Sequence, residues 1–142
     1  MLELTFENEF TKVFVDTENA IYRYDWKGNN RYLTPEQYQE EINHHKKRIA
    51  EYKPTSVLIN CTESEFIIPP DLQQFVQATL LDYLSEVGTK KLAIVQGRDF
   101  VSALSAKQTF EARADDAYTM QFFSTESDAS DWLLEKTPVI SS

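Results

Sequence analysis

The order of apolar and polar positions divides the chain into an opening run of strands and then an alternation of helices and strands. Leu2, Leu4 and Phe6 alternate with Glu3, Thr5 and Glu7, the period of two that buries one strand face and wets the other. Phe10 to Asp16 repeats the pattern with Val13 and Val15 on one side, and Asp16, Thr17, Glu18 and Asn19 supply a turn. In Ala20 to Trp26 the aromatics Tyr22, Tyr24 and Trp26 share one face while Arg23 and Asp25 share the other. Short turns between these segments predict an antiparallel meander. Lys27, Gly28, Asn29 and Asn30 then break the strand.

From there the period changes. Thr34, followed by Pro35 at the first helical position and by Gln37, is a capping box. Tyr38, Ile42, His45, Ile49 and Tyr52 recur as one apolar helical stripe, and Pro54 stops the helix. Ser56 to Cys61 carries Val57, Leu58 and Ile59 without interruption, as in an inner strand covered on both faces. Pro69 and Pro70 open a second helix, with Leu72, Phe75, Val76, Leu80, Tyr83, Leu84 and Val87 inward and Gly88 at its end. Lys91 to Val95 is a further inner strand. Asp99 starts a short helical turn, and Ser105 with Gln108 forms a second capping box for a helix carrying Phe110. Tyr118 to Phe123 returns to strand, and Thr125 with Asp128 caps a last helix whose inward face is Ala129, Trp132 and Leu133. Strands separated by helices call for parallel neighbours with right-handed crossovers. The prediction is an α/β fold in which a mixed β-sheet, with an antiparallel N-terminal meander and parallel inner strands, carries about four helices. One domain spans residues 1–137, and residues 138–142 form a frayed tail.

Composition narrows the partners. A chain of 142 residues with 42% hydrophobic and 26% charged positions is an ordinary globular domain with one core. The net charge of -9, with Lys46, Lys47 and Arg48 as the one basic cluster, disfavours nucleic acid and anionic membrane surfaces. No apolar run approaches the ~20 residues of a membrane span, and Glu3, Glu7 and Glu9 rule against a signal peptide. Cys61 is the single cysteine, so no internal disulfide forms and a cytoplasmic location is expected.

Lys90 to Val95 followed by Arg98-Asp99-Phe100, then Leu104-Ser105 and Gln108, and Gln121-Phe122-Phe123 ahead of Ala129 and Trp132-Leu133 resembles SpoIIAA-like proteins of the STAS and CRAL-TRIO fold group. Ile59-Asn60 through Pro69, Pro70, Asp71, Leu72 and Gln73 looks like that family's middle strand and following helix. The resemblance implies a SpoIIAA/STAS-like fold and a regulatory or binding role. Members of the group that regulate sigma factors are switched by phosphorylation of a serine at the start of the helix after the middle strand. Here that neighbourhood, Phe66-Ile67-Ile68-Pro69-Pro70-Asp71, has no serine, and the nearest hydroxyls are Thr62 and Ser64. Asp71 places a fixed negative charge in the first helical turn, where a phosphoryl group would meet like charge.

Candidate chemistry is sparse. Cys61 ends an inner strand, near the crevice where ligands bind in open α/β sheets, but no base is in reach; a small buried hydrophobe is the expectation. His44 and His45 are adjacent on a helix and point about 100° apart, and pairing with Glu40 and Glu41 yields too few ligands for a zinc site. His45 is expected to pack on the apolar stripe and His44 to face water. The carboxylate pairs Glu63 with Glu65 and Asp115 with Asp116 fall in loops, and the Tyr22, Tyr24, Trp26 stripe reads as core beneath a helix. Gly28, Gly88 and Gly97 are too far apart for a phosphate loop. The expectation is a non-enzymatic domain without metal or cofactor that binds a protein partner or small ligand through Asn60, Ser64, Phe66, Ile67, Asp71, Arg98 and Asp99. An alternative is a carrier of an apolar, lipid-like molecule lined by Phe66, Ile67 and Ile68; an enzyme using Cys61 is a third. The same apolar run is also a candidate homodimer contact.

Overall fold

The computed structural model describes residues 1–112 and 117–135, so Asp115, Asp116 and the tail 138–142 lie outside the described residues. The antiparallel meander consists of β1 (Glu3–Glu7), β2 (Thr11–Asp16) and β3 (Ile21–Trp26). The same sheet continues in parallel through β4 (Ser56–Asn60), β5 (Lys91–Val95) and β6 (Thr119–Phe123). Strand order follows chain order, so the first and last strands are the edges. Helix α1 (Pro35–Tyr52) crosses from β3 to β4 and makes the switch to parallel pairing. Helix α2 occupies residues 70–87, α3 is Phe100–Glu111 and α4 is Glu126–Leu134. This is the mixed α/β architecture that the apolar periods predict. No helix of the described residues is long and apolar enough to cross a membrane.

The pleat distributes the core between two faces. Tyr22, Tyr24, Trp26, Val57, Ile59, Leu92 and Ile94 lie beneath α1, α2 and α3, whereas Ile21, Leu58, Ala93 and Val95 pack under Ala129 and Leu133 of α4. Both faces of the inner strands are covered, which is why their apolar runs are unbroken. Local chemistry sets the ends. Thr34 and Gln37 exchange both capping-box bonds, Lys53 closes α1 in the left-handed region, and Gly88 does the same for α2 at φ 92°.

The structure departs from the sequence reading in several details: Leu4 of the edge strand β1 is 53% exposed, residues 28–32 form a 3-10 turn after β3, and two helices differ. Helix α2 contains a π-helical stretch, Gln77–Leu81, between α-helical Pro70–Val76 and Asp82–Val87. The wider turn buries Leu80 and Leu81 together, and Tyr118 Oη donates to the Leu81 carbonyl at 3.1 Å. The Ser105–Gln108 capping box is the second correction: residues 100–111 form one helix, capped at Asp99, whose Oδ2 accepts from Ser102 N at 2.9 Å. Ser105 lies mid-helix, where its hydroxyl donates to the Ser102 carbonyl at 2.8 Å.

His45 is fully buried on the α1 stripe, stacked on Tyr24 with 3.6 Å between ring centroids, and its Nδ1 lies 2.8 Å from Tyr22 Oη. His44, as expected, is exposed. Among the described residues His45 Nε2 has no hydrogen-bond partner. Burial first, then the charges of Arg48 and His44, holds its pKa well below the ordinary 6.5. The unfolded chain takes up a proton near 6.5 that the folded chain refuses, so stability declines as pH falls below that value. Asp16, held down at about 2 by Asn19, acts only below its ordinary 3.8. Chemical denaturation of the wild type is therefore expected to show falling stability from neutral pH to about 5. His45→Phe, though less stable throughout, is expected to lose most of that slope; an undiminished slope in the variant would assign the pH dependence to another group.

Candidate functional site

Parallel β3, β4, β5 and β6 end together at Asp25, Asn60, Val95 and Phe123, and the loops leaving these ends form one rim. On the α4 side the rim is clamped. Arg23 forks onto Asp25 at 2.7 and 2.9 Å and pairs with Glu126 at the start of α4, and Asn60 Nδ2 donates to the same carboxylate at 3.1 Å. Asn60 Oδ1 accepts from the Thr62 backbone and hydroxyl. Both amide ends of Asn60 are thus committed to fastening α4 and the next loop.

On the three-helix side the chain from Cys61 to Ile68 runs partly buried between the sheet and α3. Ser64 N donates to the Cys61 carbonyl at 3.0 Å, while Ser64 Oγ accepts from Asn30 Nδ2 at 2.8 Å. Asn30 Oδ1 in turn accepts from Glu65 N at 2.9 Å. Ser102 Oγ donates to the Ser64 carbonyl at 3.2 Å, and Ile68 N donates to Ser105 Oγ at 3.0 Å. The second loop passes close over the first: Arg98 N donates to the Thr62 carbonyl at 3.3 Å, and a Cβ on Gly97 would stand 2.7 Å from the Cys61 carbonyl oxygen. Only glycine allows that approach. An open hollow of about 240 Å³ remains above the crossing, bordered by Thr62, Glu63, Ser64, Glu65, Arg98 and Asp99.

The first turns of helix α3 are turned inside out, although Phe110 near its end is buried in the core. Ser102, Ser105 and Thr109 are almost fully buried, whereas Phe100 is 78% exposed, Val101 51% and Leu104 46%. The hydroxyl face is inward because the strap at 64–68 brings buried backbone groups that need partners, and α2 adds Gln77, whose Nε2 donates to the Thr109 carbonyl at 3.1 Å. Ile67, 55% exposed, stands on the same strap.

The residues nominated from sequence have different capacities, and of them Ser64, Arg98 and Asp99 border the same hollow. Asn60, Ser64 and Asp99 hold loops and a helix cap. Phe66 ends an aromatic stack, 4.3 Å from Tyr38, which is itself 5.3 Å from Trp26. Ile68 is buried, and the cavity beneath Phe66 measures about 10 Å³, room for one water. Arg98 forms an exposed pair with Glu63 at 3.1 Å, and Asp71 faces solvent at the first turn of α2. Cys61 is buried, and burial, reinforced by Asp25, pushes its thiol up to about 12. Among the described residues no group of three or more His, Cys, Asp or Glu side chains is placed to hold a metal ion. The residues nominated from sequence ended at Asp99, short of Val101 and Leu104. The signal was a stripe of Phe100, Val101 and Leu104 opposite a stripe of Ser102, Ser105 and Thr109.

In comparisons with known proteins, no family model, no curated protein and no solved structure matches this chain.

Two outcomes follow from the geometry. At neutral pH a rise from 9.0 to about 12 lowers the Cys61 thiolate fraction roughly a thousandfold, so a thiol reagent is expected to leave the native protein unmodified until it unfolds. Rapid modification of folded protein would restore Cys61 as a reactive group. Gly97→Ala is expected to lower stability by about 1–3 kcal/mol in thermal denaturation, because the Cys61 backbone must shift. An unchanged midpoint would mean that the two loops separate freely.

Proposed function

We infer that this domain is a non-catalytic binding module whose partner is a protein, held at the rim by the outward face of α3 and the neighbouring strap. The observation that carries the reading is the inversion of α3. A surface helix ordinarily buries its apolar stripe, and this one presents Phe100, Val101 and Leu104 to water beside exposed Ile67. Such a surface fits an apolar side-chain cluster on a partner, and the hollow bordered by Arg98 and Glu63 adds a charged margin. The motif resemblance to SpoIIAA-like proteins agrees with a regulatory role and belongs to the same proposal. A carrier of apolar molecules lined by Phe66, Ile67 and Ile68 has less support: the interior beneath Phe66 holds about 10 Å³, against roughly 300–1,000 Å³ for small-molecule pockets.

The test pairs affinity capture from the source lysate with the variant Phe100→Asp/Leu104→Lys. Both positions are exposed, so the double variant is expected to keep its stability within about 1 kcal/mol. Proteins identified by mass spectrometry on wild-type bait should be absent from the variant. If both baits retain the same proteins, or neither retains any, α3 is not a docking face.

A further inference from the structure

The two edges of the sheet are treated differently by the sequence. An edge strand offers unpaired backbone groups to any passing strand, and proteins block such edges with charge, proline or a bulge. β1 carries these devices: Glu3 and Glu7 flank it, and its register slips between Leu4 and Phe6. β6 carries none. Its sequence Thr-Met-Gln-Phe-Phe is regular, lacks proline and charge, and lies within the neutral stretch from Tyr118 to Thr125. Among the described residues nothing pairs with its outer side.

The direction of the free backbone groups follows from the inner pairing. Thr119 N donates to the Lys90 carbonyl and the Phe123 carbonyl accepts from Gln96 N, so Thr119, Gln121 and Phe123 face β5. Alternation turns the N–H and C=O of Met120 and Phe122 outward. The side chains beside this edge are firmly placed: Met120 and Phe122 pack on the three-helix core, and Phe123 lies 5.5 Å from Trp132 of α4.

We propose that β6 is a self-pairing edge, at which a second copy of this chain adds its own β6 antiparallel and continues the sheet across a two-fold axis at Gln121. Met120 then exchanges both backbone bonds with Phe122 of the second copy, and the reverse pair does the same. Charge selects this occupant and this edge. In an isologous contact every residue meets the same surface of its twin, so a chain of net charge -9 associates best where the surface is neutral. Self-pairing of β1 about Thr5 would set Glu3 against Glu7; self-pairing of β6 opposes Thr119 to Phe123 and Gln121 to itself. Gln121, on the axis, shares the α4 side of the sheet with Phe123, opposite the side that α3 covers.

The experiment is native mass spectrometry with sedimentation velocity on the full chain, the variants Gln121→Glu and Gln121→Lys, and their equimolar mixture. Gln121 is exposed, so both variants keep the fold. Wild type is expected to be dimeric, each variant alone to dissociate at least tenfold more readily, and the mixture to recover dimer as the Glu/Lys hetero-pair. Leu104→Lys, on α3, should leave the dimer intact, which separates this contact from partner docking. A wild type that stays monomeric as concentration rises, variants that remain dimeric, or a mixture that does not recover would overturn the proposal, as would a foreign strand found on β6 in place of a second copy.

Discussion

A chain that leaves the end of a central strand and remains buried must find a partner for each N–H and C=O it takes out of water. The strap after β4 is under that constraint, with Cys61, Ser64 and Ile68 all buried. Most of its bonds come from residues far away in sequence, Asn30 after β3 and Ser102 and Ser105 on α3, and nearby Gln73 adds one, its Nε2 donating to the Ile68 carbonyl at 2.9 Å. An unsatisfied buried group costs about 1–3 kcal/mol, more than burying one further aliphatic side chain of α3 returns after its entropy loss. The helix therefore turns its hydroxyls to the strap. Phe110 near its end still reaches the core, but Phe100, Val101 and Leu104 are left with water, and that exposed face is a consequence of the buried loop.

The same reasoning marks how far the sequence could be read. Caps and periods located the six strands and the helices α1, α2 and α4, because Thr34, Pro70, Gly88 and Thr125 act within their own turns and the inner strand runs report their own burial. The antiparallel meander and the parallel inner strands followed from short turns and crossovers, and the loops leaving the parallel strands do lie together at one end of the sheet. The roles of residues at the rim were not legible. Asn60, Ser64 and Asp99 are polar residues in loops, and nothing in a linear chain distinguishes a side chain that faces a ligand from one that satisfies a distant backbone. Ser105 illustrates the difficulty: Ser-x-x-Gln is a capping signal only where a helix starts, and Asp99 had already started it. In α3 two opposite stripes have helical spacing, and the hydrophobic rule chooses the wrong one as the buried face because the strap's demand lies outside the window.

The two faces of the sheet are covered unequally, and this makes the rim rigid on one side and open on the other. A single helix, α4, covers the face of β4, β5 and β6 opposite the main core. A nine-residue helix has too little apolar area to hold its place alone, and polar contacts supply the rest. Glu126 ties its first turn to Arg23 and Asn60, and Lys91 Nζ donates to the Trp132 carbonyl at 2.8 Å near its end. Arg23 also lies over the ring of Phe14, 5.1 Å from its centroid, and so covers part of β2 that α4 does not reach. One half-buried guanidinium thus links β2, β3 and α4, while α1, α2 and α3 share a continuous aromatic and aliphatic core. Loops leaving the clamped side have their polar atoms engaged with α4. Those on the three-helix side end in exposed Ile67, Phe100 and the Arg98–Glu63 pair, whose side chains are turned to solvent and not to the core, and the proposed recognition surface is drawn there for that reason.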